Sequence, residues 1–156
     1  MNRVLLALAM AALCCAESAS GVKWAAPKSW TAQPQRPMRA GTYTVAPAAG
    51  DKDPGECAVF YFGPGQGGGI QANIDRWQAQ FPEKSGTAKT AKLTVAGLNV
   101  TTLDLSGTYA WSPSPMSPEK VNKPGYRMLG AIVEAPQGAV FFKFTAQAKT
   151  VAANEA

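Results

Sequence analysis

CAVFYFGPGQGGGIQANIDRWQAQF, residues 57–81, is the stretch that decides the fold predicted from this sequence. Residues 57–62 are almost wholly apolar, which is typical of a central strand that is covered on both faces. Four apolar residues then recur at helical spacing and form one continuous stripe: Ile70, Ile74, Trp77 and Phe81. Pro82 follows the stripe and ends the helix. The stretch therefore predicts a sheet with an amphipathic helix packed on it.

Further segments on both sides of this stretch have the composition of strands. They lie at residues 38–45, 93–95, 100–105, 128–135 and 139–146. Gly97-Leu98-Asn99 and Pro136-Gln137-Gly138 are predicted to join two hairpins. Residues 149–156 resemble the first turns of a helix. We predict one α+β domain over residues 21–156, with a mostly antiparallel sheet of about six strands, one amphipathic helix packed on it and a short C-terminal helix.

The first twenty residues, MNRVLLALAMAALCCAESAS, carry the features of a secretory signal peptide. Arg3 supplies the positive start, residues 4–13 form an uncharged apolar run, and small residues follow. The run is too short to span a bilayer, which takes roughly 20 apolar residues. We expect a mature chain that starts near residues 17–21 and is secreted or periplasmic in a bacterium. Membrane attachment through a lipid on Cys14 or Cys15 is the less favoured alternative, because neither cysteine matches the lipobox pattern.

Composition argues against several classes of protein. The sequence contains no histidine, which removes Ser-His-Asp and Cys-His catalysis and the commonest zinc ligand. The net charge of +5 is scattered along the chain. The sequence lacks the compact basic block with interleaved aromatic residues that would predict nucleic-acid binding. Whether the chain is an enzyme stays uncertain, but the composition favours a protein that is not one.

Gly63, Gly65 and Gly68 match the G-x-G-x-x-G spacing of a dinucleotide-binding turn. Pro64 removes one backbone donor from this turn, and no acidic residue ends a second strand about 20 residues further on. We therefore interpret the segment as a flexible turn in which glycines adopt positive φ, and we predict no cofactor. Anion binding at the start of the helix is a less favoured alternative.

Cys57 is the only cysteine beyond the signal segment. It stands at the head of an apolar strand, where a free cysteine usually acts as small core filler. A reactive thiol is the alternative, and it would need a cation or a helix N-terminus to stabilise the thiolate.

The acidic residues predict no metal site. Three of them cluster in one turn without the spacing of an EF-hand, and we interpret them as solvated turn charges: Asp51, Asp53 and Glu56. Asp104 and Glu134 lie on predicted strands and could pair across the sheet with Arg127 or Lys143. No pair of carboxylates is singled out as an acid and base for glycoside hydrolysis.

A long proline-rich loop is predicted over residues 112–127, and loops of this length inside a domain are more often functional than not. Its prolines would reduce the entropy lost on binding. Trp24 and Trp30 precede the first predicted strand, where they either plug the sheet or contribute aromatic surface. We expect a contact surface made of the loop and the glycine-rich turn, with these members: Trp111, Met116, Tyr126, Arg127, Gly65, Gly67 and Gly68.

The order of the elements resembles that of the secreted PsbP-like and DcrB-like domains, which form an α/β/α sandwich around an antiparallel sheet. An early P..W segment at residues 27–30 also fits. The chain is similar, too, to uncharacterised secreted bacterial proteins with the runs FGPGQGG, NIDRWQAQF and DLSGTY, found here at residues 62–68, 73–81 and 104–109. The resemblance implies a fold but carries no known activity. Relatives of this fold usually end in a longer helix, which implies that this chain is either truncated, with part of its C-terminal helix missing, or unusually short.

These observations favour a secreted or periplasmic, non-catalytic binding or accessory protein. The predicted partner is an envelope protein, a peptide or a glycan, and the sequence does not choose among them or indicate the oligomeric state. The alternative is a small extracytoplasmic hydrolase or a thiol-based redox protein that uses carboxylates or Cys57.

Overall fold

A computed structural model describes residues 17–114 and 116–155. The predicted signal segment up to Ala16 therefore lies outside the described residues, as do the lipidation candidates Cys14 and Cys15. The strands are β1 (Glu17–Ala19), β2 (Val22–Trp24), β3 (Thr31–Ala32), β4 (Arg39–Val45), β5 (Gly55–Tyr61), β6 (Glu83–Lys84), β7 (Lys89–Val95), β8 (Leu98–Trp111), β9 (Val121–Glu134) and β10 (Val140–Gln147). The helices are α1 (Ile70–Ala79) and α2 (Ala148–Asn154).

Eight of these strands form one antiparallel sheet in the order β3-β4-β5-β10-β9-β8-β6, with β7 paired to β8 on the same edge as β6. β1 and β2 form a separate hairpin. β10 is the last strand in the chain but lies between β5 and β9 near the middle of the sheet. The sheet therefore joins the two halves of the chain through β10.

The predicted α+β class and its two helices are confirmed, but the predicted number of about six strands is too low. All the strands predicted from composition are present in the large sheet. The additional strands β1, β2, β3 and β6 have only two or three residues each. A segment that short has no detectable alternation, because alternation needs about four residues or more.

One face of the sheet, here called the α1 face, carries the predicted amphipathic helix. Ile74, Trp77 and Phe81 are buried together with Leu105 and Met128 of the sheet. The helix starts after Gly69 and makes no side-chain cap hydrogen bond at its first residue. Its position is therefore set by the apolar stripe that it buries.

The opposite face, here called the α2 face, is covered by the N-terminal segment and α2. Trp24 packs edge-on against Phe142, with ring centroids 5.5 Å apart. Trp30 lies 5.1 Å from Phe144 and donates a hydrogen bond from Nε1 to Oδ1 of Asn154 in α2. The two tryptophans thus cover the sheet and belong to its core.

β8 and β9 are 14 residues long each, so the proline-rich loop is shorter than predicted and ends at residue 120. Gly107 pairs with Tyr126 and Tyr109 with Lys123, which places Pro124 and Gly125 together opposite the single residue between them. This arrangement is a β-bulge, one of the few positions inside a sheet that proline tolerates. Pro124-Gly125 therefore kinks a continuous strand where the sequence predicts a loop.

The β7–β8 turn is also displaced from the predicted Gly97-Leu98-Asn99. Val95 pairs with Leu98, which leaves Ala96 and Gly97 as the two turn residues. Both have positive φ, 48° and 79°, as a tight hairpin turn with the twist of its strands requires.

Within the part of the chain that the structure describes, neither helix has the length and apolar character needed to cross a membrane.

Candidate functional site

β8 and β9 continue beyond the rest of the sheet as a two-stranded extension, here called the arm (residues 109–123). β10 pairs with β9 only as far as Tyr126, and β6 pairs with β8 only as far as Thr108. At the base of the arm, the amide of Ala110 donates a 2.8 Å hydrogen bond to the carbonyl of Gln80, just after α1. The helix that covers the sheet therefore also anchors the arm.

The tip of the arm exposes large apolar side chains. Trp111 and Val121 are paired across its two strands and are 38% and 50% exposed. Met116, in the loop between them, is 91% exposed. A group of exposed apolar residues at the end of a projecting hairpin is typical of a protein contact surface.

Lys123 holds the base of the arm in place. Its Nζ lies 5.1 Å from the ring centre of Trp111 and 5.7 Å from that of Tyr126. It also pairs with Oδ2 of Asp53 at 3.4 Å, and the Tyr126 hydroxyl donates a 2.8 Å hydrogen bond to the same oxygen. The hydrogen bonds from Tyr126 and Lys123 lower the pKa of Asp53. The exposed indole thus rests on an ordered, ionised group of side chains.

Tyr126 and Arg127 do not belong to the exposed part of the predicted contact surface. Tyr126 is 5% exposed and packs in the core of the α1 face, and burial is the first cause of its raised pKa. Arg127 follows it on β9 and so points to the α2 face. There it forms two hydrogen bonds with Asp104, of 2.9 and 2.8 Å, and a 2.7 Å ion pair with Glu155. The predicted pairing of Asp104 with Arg127 is therefore confirmed.

The glycine-rich turn lies at the opposite end of the sheet from the arm. Gly63, Gly65, Gly67 and Gly68 all have positive φ, as predicted. A Cβ atom on Gly67 would lie 2.8 Å from Phe62, so glycine is required there for close packing as well. β8 runs on the order of 35 Å from the row of Tyr61, at the start of the turn, to Trp111. The turn and the arm consequently cannot form the single surface that the sequence predicts.

A second polar group lies on the α1 face, where the sequence prediction placed no site. Lys143 of β10 is half-buried, donates a hydrogen bond to Oε1 of Gln80, and has its Nζ 5.5 Å from the ring centre of Tyr109. Burial lowers the pKa of Lys143 to about 8. A lysine in the middle of the apolar run VFFKF was the sequence signal for this group. The predicted pairing of Lys143 with Asp104 or Glu134 is absent among the described residues.

The neighbouring strands add an ion pair and an unsatisfied hydroxyl to the same face. Arg39 pairs with Glu56 at 3.0 Å and stacks its guanidinium 5.2 Å from the centre of the Phe60 ring. Thr145 lies two residues after Lys143 and opposite Glu56, and its buried Oγ1 has no hydrogen-bond partner in the described part of the chain. This region is therefore a polar, partly exposed part of the α1 face that contains one unsatisfied buried hydroxyl.

The predicted solvation of the acidic residues around the start of β5 is confirmed in part, because the side chains of Asp53 and Glu56 are 47% and 45% exposed, but each of the three also has a protein partner. Oδ2 of Asp51 accepts hydrogen bonds of 2.7 Å from both the amide and the hydroxyl of Thr150 in α2. Asp53 is held by Lys123 and Tyr126, and Glu56 by Arg39. Within residues 17–114 and 116–155, no three His, Cys, Asp or Glu side chains come together as a metal site would require.

Cys57 is 7% exposed and belongs to the core of the α2 face. Burial, with a smaller contribution from the charge of Glu56, raises the pKa of its thiol to about 12. The thiolate form that a nucleophile requires is therefore disfavoured.

No family model matches the chain, and no curated protein matches its sequence. The likeness to PsbP-like and DcrB-like domains stays a prediction.

Proposed function

We propose that the chain is a non-catalytic, extracytoplasmic binding protein that docks on a protein partner through the arm. The observation that carries this proposal is the exposed apolar group of Trp111, Met116 and Val121 at the end of a hairpin that extends beyond its sheet. Tryptophan is among the residues that contribute most to binding energy in protein interfaces.

The order within the arm supports the same function. Lys123, Asp53 and Tyr126 fix the base of the arm, and the Ala110–Gln80 hydrogen bond ties it to the end of α1. Prolines stiffen the loop at positions 113 and 118. Binding to a surface that is already ordered costs less conformational entropy, so a small apolar patch can reach a useful affinity.

The thiol and the carboxylates that the sequence offers for a redox protein or a hydrolase argue for binding rather than chemistry. A thiol with the raised pKa of Cys57, in the core, is a poor nucleophile. Asp53 and Asp104 have lowered pKa values, whereas a general acid working near neutral pH needs a raised one.

The extracytoplasmic location rests on the signal-like sequence of residues 1–20.

The test is capture of a partner from the envelope fraction by the purified protein, with an arm variant, Trp111→Ala/Met116→Ser, beside it. Met38→Ser is the matched control, because Met38 is also exposed, at 69%, but lies before β4 and away from the arm. We expect the wild type and the control to retain one partner that the arm variant loses.

Equal thermal unfolding midpoints would show that the arm variant remains folded, since both substituted side chains are exposed. Retention of the partner by the folded arm variant would contradict docking through the arm. Capture of a glycan and no protein, checked by glycan-array binding, would show that the partner is a sugar and not a protein.

A further inference from the structure

In the described chain, the outer edge of β7 is an unpaired sheet edge that lies apart from the arm. This strand pairs with β8 on one side only, and no strand of the described residues pairs with its other side. All seven of its residues are exposed. The outer edge therefore offers free backbone N–H and C=O groups, which an extended peptide can pair with as an added strand.

The side chains of β7 lie alternately on the two faces of the sheet. On the α2 face, Leu93 and Val95 are 44% and 52% exposed and lie opposite Val100 and Leu98. On the α1 face, Lys92 borders a groove of about 310 Å³ whose far wall is formed by Ile70 and Ile74 of α1. An added strand would therefore meet apolar surface on both faces of the sheet.

The positive charge of the edge indicates which kind of strand can pair with it. Lys89 and Lys92 lie on β7 and Lys84 on the neighbouring β6. None of the three forms an ion pair in the described part of the chain, although Lys89 lies opposite Asp104 of β8. A second copy of the chain is disfavoured, since full antiparallel pairing of two β7 strands would place Lys92 opposite Lys92. Like charges directly opposite each other destabilise a strand pair. A segment with acidic residues would neutralise the edge.

We propose that β7 accepts an extended segment of a partner protein in which acidic residues alternate with apolar ones. Running antiparallel to β7, the segment places apolar side chains opposite Val95, Leu93 and Ala91 and carboxylates opposite Lys92 and Lys89. The heptapeptide VTVEVTE has this pattern, and VTVKVTK is the same peptide with the charges reversed. This surface is independent of the arm.

The experiment measures fluorescence anisotropy of the two labelled peptides with the full chain at low salt. We expect VTVEVTE to bind at least about tenfold more tightly than VTVKVTK, because two facing charge pairs change from attraction to repulsion. The variant Lys89→Glu/Lys92→Glu reverses the preference. The control Lys23→Glu/Lys28→Glu, which has the same net charge at exposed positions, retains it.

Hydrogen exchange locates the bound peptide, and the amides of β7 that point away from β8 become protected when VTVEVTE is added. Failure of VTVEVTE to bind, or an unchanged preference in Lys89→Glu/Lys92→Glu, overturns the proposal. Protection of the same amides that rises with protein concentration alone also overturns it and assigns the edge to a second copy of the chain.

Discussion

The indole of Trp77 packs directly on the backbone of Gly130, so that a Cβ atom at this glycine would lie 2.7 Å from Cε3 of the ring. This contact joins the middle of α1 to β9 and sets how closely the helix approaches the sheet. Ile74 and Phe81 complete the same core.

Gly130→Ala is expected to destabilise the protein by about 1–3 kcal/mol, the usual cost of overpacking a core. The indole cannot give way without disturbing the residues around it. Urea unfolding followed by tryptophan fluorescence measures the change. Trp77→Phe provides space beside Gly130, so Gly130→Ala should cost clearly less in that background. An equal cost in both backgrounds would show that the indole is not the obstacle.

Lys143→Met is expected to stabilise the protein at pH 7 by about 2 kcal/mol, because it removes a charge that burial disfavours. The pKa of Lys143 is lowered from about 10.5 to about 8 in the folded protein. Between these values the unfolded chain holds the proton and the folded chain does not, so the wild type gains stability as the pH rises.

The advantage of Lys143→Met over the wild type should therefore shrink between pH 8 and about 10.5, which urea unfolding at a series of pH values measures. The difference between the two proteins cancels the titration of other groups. Lys149→Met, at an exposed position, serves as the control and should show no such window. A Lys143→Met protein that is less stable at pH 7 would mean that the bond to Gln80 outweighs the cost of burial.

Asp104→Asn is expected to cost about 1 kcal/mol at neutral pH, since Asp104 shares Arg127 with Glu155 in a partly exposed network. The hydrogen bonds from Arg127 are the first cause of the lowered pKa of Asp104. Its contribution is complete above the unfolded pKa of about 3.9 and is lost as the pH falls through the lower folded value.

The wild type and Asp104→Asn should consequently converge in stability as the pH falls from 5 toward 2, as thermal unfolding would show. Asp75→Asn is the comparison, because Asp75 is exposed and contacts only Gln71 among the described hydrogen bonds. A constant difference at every pH would assign the effect of Asp104→Asn to a changed shape rather than to charge.

Cys57 is expected to resist iodoacetamide in the folded protein and to react once the chain is unfolded, since its thiol is buried and its pKa is raised to about 12. Mass spectrometry of the peptide that contains Cys57 separates this site from other cysteines. Rapid alkylation under native conditions would show that the thiol is reactive in the folded protein.

The sequence predicts the α1 core because Ile74, Trp77 and Phe81 follow the period of a helix, and the period depends only on neighbours along the chain. It does not predict the burial of Tyr126. Pro124-Gly125 has the composition of a loop, and only pairing with a residue 16 positions earlier turns it into a bulge.

Part of the candidate site can also be predicted from the sequence. Trp111 and Met116 stand out by residue type, and both are exposed. The distance between the arm and the glycine-rich turn depends on strand register, which composition does not encode. The sequence indicates Lys143 only as a possible ion-pair partner, because its contacts with Gln80 and Tyr109 come from distant elements.

The central place of β10 also determines when the sheet can be completed. Val140–Gln147 lies between β5 and β9, and these two strands do not pair with each other. A ribosome that has released everything up to residue 139 has produced two sets of strands with an open seam between them. Closure of the sheet must therefore wait for residues 140–147, so its two parts cannot be joined while only the residues before β10 are available.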